Sequence, residues 1–261
     1  MLKPIMVLLG ANSSGKSSFL RSFPLFTQSV DKNLRGPISW FDSSFVDFGD
    51  YKTAKNKYVS DEEGISFGYR ITNFHIVGRS FYRSNEYNYS KDPKNCYVQF
   101  TLKGDSKGTY VSDIHIEIAK VTFDLKVKGR NEYIDFFING KGVIISEKFR
   151  FNFNTGFAIL PSIIKNVNDG ESATTTLVKK IVGILRKHCD KRLQNTSRLE
   201  KILMGSSFGK DDFLTRLKHS SDVKSFQKNV KGWNVNTEEF ELIYQLYLIL
   251  KLNSILESIN V

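Results

Sequence analysis

The sequence predicts a mixed α/β protein, and three observations predict it. A short apolar run, Ile5-Met6-Val7-Leu8-Leu9, leads into a glycine-rich turn and then into residues with helical spacing. From about Gly64 to Ile159 apolar residues recur at every second position, the period of a half-buried strand. Beyond Pro161 the period becomes that of a helix. The expected organisation is a strand–loop–helix unit with an antiparallel β-subdomain over residues 1–160, then a helical subdomain over 161–261.

The opening unit carries the chemistry. Gly10-Ala11-Asn12-Ser13-Ser14-Gly15-Lys16-Ser17 fits the phosphate-binding pattern G-x-x-x-x-G-K-[ST]. A buried strand before it (Ile5–Leu9) and a helix after it (from Ser18-Phe19-Leu20) are the context the pattern needs. Phosphate oxygens must be met by donors, and a tightly curled backbone supplies them as N–H groups. Gly10 and Gly15 permit the angles that such curling requires, and the helix start adds free N–H groups and the positive end of a dipole. The expected nucleotide ligands are Gly10, Asn12, Ser13, Ser14, Gly15, Lys16, Ser17 and Ser18. Lys16 is expected at the β- and γ-phosphates of ATP and the Ser17 hydroxyl on Mg²⁺; the Ser18 side chain is expected to face the helix body. A glycine- and serine-rich turn capping an ordinary helix explains the glycines but not Lys16-Ser17 after an apolar strand.

The elements then follow in order. The first helix is expected to end before Asp31, in the loop Asp31–Pro37. Ser43–Lys52 reads as a short strand turning at Gly49. Alternation marks strands at Ile65–Ile71, Tyr97–Leu102, Ile114–Ile118, Val121–Val127 and Tyr133–Ile138, the last ending at Asn139-Gly140, a hairpin signal. Together these predict an antiparallel meander with one wet face. Arg79–Asn95, polar and tyrosine-rich, is expected to be a long exposed loop. Leu177, Val178, Ile181, Ile184 and Leu185 form one face of a helix from Thr174 to Arg192. Asp211 or Asp212 is expected to cap a helix through Phe213, Leu214 and Leu217. Asn236-Thr237 opens a last helix, Glu238 to about Ile259, apolar on nearly every side, which calls for burial in a larger body or against a partner.

Composition narrows the function classes. The formal net charge is +11, and Glu171–Gly232 holds 14 Lys/Arg against 6 Asp/Glu. That stretch reads either as a nucleic-acid surface or as a set of solvated helices. Two cysteines, Cys96 and Cys189, give neither a disulfide framework nor a metal pair, and fit a reducing cytoplasm. His75, His115, His188 and His219 have no ligand spacing. His188 beside Cys189 is not a nucleophile pair, because adjacent helical residues point about 100° apart. No signal sequence precedes the first strand, and no apolar run reaches the ~20 residues of a membrane span.

Gly10–Ser17, with its continuation Ser18-Phe19-Leu20-Arg21-Ser22-Phe23-Pro24-Leu25, resembles the P-loop and first helix of ABC-type ATPase heads of the SMC, RecF and OLD kind. Phe45-Val46-Asp47-Phe48-Gly49-Asp50-Tyr51-Lys52 is similar to a segment of the "AAA family" ATPases in that group, found in bacterial antiphage systems such as Septu-type and retron-associated ones. The resemblance covers residues 1 to about 160. It implies a P-loop NTPase fold, ATP and Mg²⁺ as ligands, and dimerisation of two heads around nucleotide (a homodimer or higher oligomer), coupled to work on DNA or to a nuclease partner. RecF/SMC-type DNA repair or chromosome maintenance is the alternative, disfavoured by the absence of sustained heptads; a non-catalytic scaffold with a structural P-loop is another.

Several parts that the resemblance implies are not found, and no catalytic residue is identified. Walker B needs an apolar strand ending in Asp-Glu; Tyr133-Ile134-Asp135-Phe136 has the approach but one acid. Leu203-Met204-Gly205-Ser206-Ser207-Phe208-Gly209-Lys210 has the small residues of a signature motif in the wrong order. For the Q-loop glutamine, Gln28 lies too near the P-loop, and Gln99 is a weak candidate. The strand that usually precedes the P-loop strand is also absent. The chain is therefore expected to be an N-terminal lobe, cut from a longer ATPase or completed by another chain, that binds ATP weakly and hydrolyses it poorly or not at all alone.

Overall fold

The computed structural model describes residues 8–11, 15–30, 36–60, 62–79, 87–89, 92–127, 134–143, 150–152, 160, 162–164, 173–188, 202–203, 207–219 and 230–259. Its largest element is a six-stranded sheet in the order β1-β4-β5-β6-β7-β8. The strands are β1 (Ile65–Phe74), β4 (Lys94–Asp105), β5 (Gly108–Ile118), β6 (Val121–Val127), β7 (Ile134–Ile138) and β8 (Lys141–Gly142). Every neighbouring pair is antiparallel. The meander expected from the alternation is present, and Asn139-Gly140 makes its hairpin turn with φ of 51° and 74°.

One sheet face is apolar. Phe100, Leu102, Ile114, Ile116, Phe123 and Leu125 are buried on it. The other face carries Arg70, Tyr97, Gln99, His115, Glu117, Asp124 and Lys126, consistent with period-two side chains. The register of β4 on β5 slips between Thr101 and Leu102. This bulge buries both Val111 and Ser112, and the Ser112 hydroxyl donates to Asp113 Oδ2 at 2.6 Å.

Helix α1 (Lys16–Val30) packs on the apolar face. Phe26 meets Phe67, Tyr69 and Phe100 edge-on, with ring centroids 5.0, 5.4 and 6.2 Å away. Residues 38–48 strap α1 along its side. Ser43–Lys52 is not the strand expected from sequence: a single bridge, Phe41 to Asp47, is followed by the four-residue helix α2 (Tyr51–Ala54), capped by Asp50. Gln28, buried on α1, is the clamp. Its Nε2 donates to Ser39 O at 2.5 Å, and its Oε1 accepts from Val46 N at 3.1 Å. The Gln28→Ala variant is expected to lose about 1–2 kcal/mol in urea unfolding, because two buried backbone groups lose their partner.

Arg79–Asn95 is not wholly a loop. β2 (Val77–Arg79) pairs antiparallel with β3 (Tyr87–Tyr89), and β4 already begins at Lys94. A second two-stranded sheet pairs β9 (Arg150–Asn152) antiparallel with β10 (Ser162–Ile164). The helical part holds α3 (Ala173–Arg186), α4 (Lys210–His219) and α5 (Glu238–Ile259). α3 stops at Arg186, short of Arg192, which lies outside the described residues along with Cys189. Asp211 and Asp212 sit inside the first turn of α4 rather than before it, where their charge suits the helix dipole. The Thr237 hydroxyl turns back to accept from Asn234 N at 3.0 Å.

α5 is the hub. Thirteen of its 22 residues are buried, and Leu177, Ile181 and Leu185 of α3 are buried in the same core. Phe213 of α4 stacks on Tyr247 at 4.1 Å. By length and apolarity α5 alone among the described helices could cross a membrane, but two thirds of its apolar window (67%) is buried inside the protein.

Candidate functional site

Among the described residues, Gly10, Ala11, Gly15 and Lys16 build the turn into α1. Gly15 sits at φ +84°, a conformation that side-chain-bearing residues rarely adopt. Its carbonyl accepts the first helical bond from Phe19 N at 2.9 Å. Lys16 folds back along the turn, donating from Nζ to Gly10 O at 2.8 Å and Ala11 O at 2.6 Å. The Lys16 side chain thus ties the helix start to two successive carbonyls of the incoming arm. Ser17 and Ser18 follow, both exposed; Ser18 faces outward rather than towards the helix body as expected. Asn12, Ser13 and Ser14 lie outside the described residues.

The electrostatics of this turn are one-sided. α1 has no acidic residue in its first turn, so the positive end of its dipole and the Lys16 charge lie at the same end of the helix. The site suits an anion with several acceptor oxygens. Phosphate groups would be held by Lys16 and the turn's amides, and the Ser17 hydroxyl is the described oxygen suited to Mg²⁺ beside them.

The flank differs from expectation. Leu8 and Leu9 are in no strand, and Leu9 is 89% exposed, so the last two residues of the expected buried strand are not buried together; Ile5–Val7 lie outside the described residues. On α1, Phe19, Leu20 (57% exposed) and Phe23 also face outward, with Phe19 and Phe23 in edge contact at 5.5 Å. Next to the turn is therefore an apolar helix face that no described element covers.

The remaining candidates separate from the turn. Asp135 stands opposite Lys126 in the β6–β7 register, on the sheet face away from α1. Gln28 is the buried clamp described above, and Gln99 accepts from Tyr97 Oη at 2.8 Å on the polar face. The signature-like stretch is pinned into the helical core. Tyr247 Oη donates to Ser207 O at 2.6 Å and Tyr244 Oη to Phe208 O at 2.5 Å; Met204–Ser206 lie outside the described residues. The segment Phe45–Lys52 braces α1. Arg21 donates to Asp47 O, and its guanidinium lies over the Phe48 ring, 4.6 Å from the centroid. His188 pairs with Glu239 at 2.9 Å and meets Trp233 edge-on, a packing role.

Sequence reading missed one cluster. His115 Nδ1 lies 2.6 Å from Asp124 Oδ1, and its Nε2 lies 3.1 Å from Glu117 Oε1. Burial disfavours the imidazolium, but the hydrogen bonds and charges of Asp124 and Glu117 outweigh it and hold His115 above its ordinary value. Alternation could have placed His115 and Glu117 on one face; only the β5–β6 register brings Asp124. Because the folded value is raised, the cluster stabilises the fold below the ordinary histidine pKa and loses that contribution as pH rises through the folded value. Asp124→Asn is expected to lower the His115 pKa followed by ring-proton NMR. Among the described residues no group of three or more His, Cys, Asp or Glu could hold a metal ion.

No protein-family model, no curated protein and no solved structure matches the chain.

Proposed function

We propose that the chain binds Mg-ATP at Gly10–Ser17 and is the nucleotide-binding part of a P-loop ATPase in an antiphage defence complex. In that reading, nucleotide-dependent head dimerisation regulates a partner nuclease in the cytoplasm. One observation carries the nucleotide: Lys16 and the positive end of an acid-free helix meet at a turn whose Gly15 takes φ +84°. The defence role rests on the resemblance of Gly10–Leu25 and Phe45–Lys52. The surplus of Lys and Arg over residues 171–232 favours a nucleic-acid partner.

Two features support completion by another polypeptide segment. Hydrolysis needs a carboxylate on Mg²⁺ and a group that orients water; among the described residues, Asp135 lies on the sheet face away from α1, and Ser207 and Phe208 are bound into the helical core. The face of Phe19, Leu20 and Phe23 is apolar and exposed, the mark of an interaction surface. The chain alone is thus expected to bind Mg-ATP weakly and turn it over poorly or not at all. Calorimetric titration of the full chain with Mg-ATP, alongside a phosphate-release assay, tests both parts. Absence of binding would remove the nucleotide; turnover at the rate of an intact ATPase, lost in Lys16→Ala, would remove the need for completion.

A second reading, a scaffold whose loop is only structural, is favoured by Lys16 bonding the carbonyls of its own loop.

A further inference from the structure

A groove of about 490 Å³ lies between residues 36–40, the start of α2 and the tip of the β4–β5 hairpin, and none of its lining residues belongs to the turn at Lys16. Its apolar wall is Ile38, Trp40 and Tyr51. The wall is fixed in place. Trp40 Nε1 donates to Thr109 Oγ1 at 2.7 Å, and the Trp40 and Tyr51 rings lie 6.1 Å apart at 66°. Gly104 is pressed against the Tyr51 ring so closely that a Cβ there would fall 2.2 Å from a ring carbon. The hairpin can meet the aromatic plane only because this residue is glycine.

Four charged residues line the same groove: Asp50, Lys52, Asp105 and Lys107. The two carboxylates are engaged by backbone. Asp50 Oδ1 accepts from Thr53 N at 2.8 Å, and Asp105 Oδ1 accepts from Lys107 N at 2.7 Å. Among the described residues neither the Lys52 nor the Lys107 ammonium is committed to a salt bridge. An aromatic wall therefore stands beside two ammonium groups and two carboxylates that accept from the main chain, with the Lys52 charge acting on Asp50.

We infer that this groove binds a nucleotide unit of a single-stranded nucleic acid, with a base against Tyr51 and Trp40 and its phosphates on Lys52 and Lys107. A nucleic-acid strand is the polymer in which each monomer carries one planar ring and one anion, the pairing this groove offers. An acidic peptide brings the anions without a ring at every step. The chain's charge of +11 favours approach of such a polyanion. The assignment is independent of the nucleotide at Lys16.

The experiment is fluorescence anisotropy of labelled dT12 with the full chain, compared with a Lys52→Gln/Lys107→Gln double variant. A charge-matched Lys120→Gln/Lys141→Gln double variant changes two exposed lysines elsewhere on the sheet. The groove variant is expected to bind about tenfold more weakly, with a salt slope smaller by about 1.4, at about 0.7 per single-strand phosphate contact. The control is expected to stay within about threefold of the parent. Unlabelled dTMP at equal nucleotide concentration is expected to displace less than a tenth as much probe as unlabelled dT12. Equal losses in the two variants, or none in the groove variant, would overturn the assignment. So would displacement by dTMP or by a glutamate dodecamer as effective as that by dT12.

Discussion

Lys251→Met is expected to stabilise the protein at pH 7 by about 2–4 kcal/mol. Lys251 lies within α5 with its side chain buried; its ammonium is 5.3 Å from the centre of the Tyr247 ring. Burial, with a smaller contribution from the Arg216 charge, pulls its pKa down to about 7. Measured from the ordinary lysine value, that drop corresponds to about 5 kcal/mol at 1.36 kcal/mol per unit, an upper limit that local relaxation reduces. The sign follows from proton counting. Between about pH 7 and the ordinary lysine value, the unfolded chain binds a proton that the folded chain does not, so parent stability rises with pH across that window. Methionine has a similar length and no charge, so the variant lacks the rise. Urea unfolding at pH 7 and pH 10 checks this: the gain should be large at pH 7 and mostly gone at pH 10. A loss of stability at pH 7, or a gain independent of pH, would show that the buried ammonium has a compensating partner.

Lys251 also shows where sequence reading stops. Helical spacing predicted α5 from Glu238 to Ile259 and its burial, because both depend on which residues are apolar. Nothing in the spacing says that the lysine points inward, since the apolar residues surround the helix. The sheet shows the same division. Period two located β1, β4, β5, β6 and β7, and Asn139-Gly140 marked a turn that adopts the expected positive φ angles. It missed Gly108–Ser112, where the bulge breaks the alternation, and β2–β3, whose polar residues carry no pattern. The turn at Ala119-Lys120 takes φ of 50° and 67° without a glycine or asparagine, so only the flanking strands revealed it. At the candidate site, residue types announced the turn and Lys16. They did not announce Gln28 as a buried clamp or Phe45–Lys52 as a brace, because both depend on tertiary packing.

Lys16→Ala is expected to weaken Mg-ATP binding about 100-fold while changing thermal stability little. The two effects separate because the ammonium has different partners in the two states. In the structure it donates to Gly10 O and Ala11 O at the surface, and water replaces it there for well under about 1 kcal/mol, as at exposed polar contacts generally. Towards a triphosphate it is a cation in charge-assisted hydrogen bonds, each about twice as strong as a neutral one. A loss of about 3 kcal/mol for that role corresponds to about two decades in Kd. Lys16→Arg keeps the charge but replaces a compact ammonium with a planar fork, and is expected to recover only part of the affinity. Isothermal titration with Mg-ATP and a thermal melt of each variant give the two readings side by side. If Lys16→Ala melted several degrees lower yet bound Mg-ATP as the parent does, the ammonium would belong to the loop carbonyls alone. The turn would then be a structural fastening for α1, which is the scaffold reading.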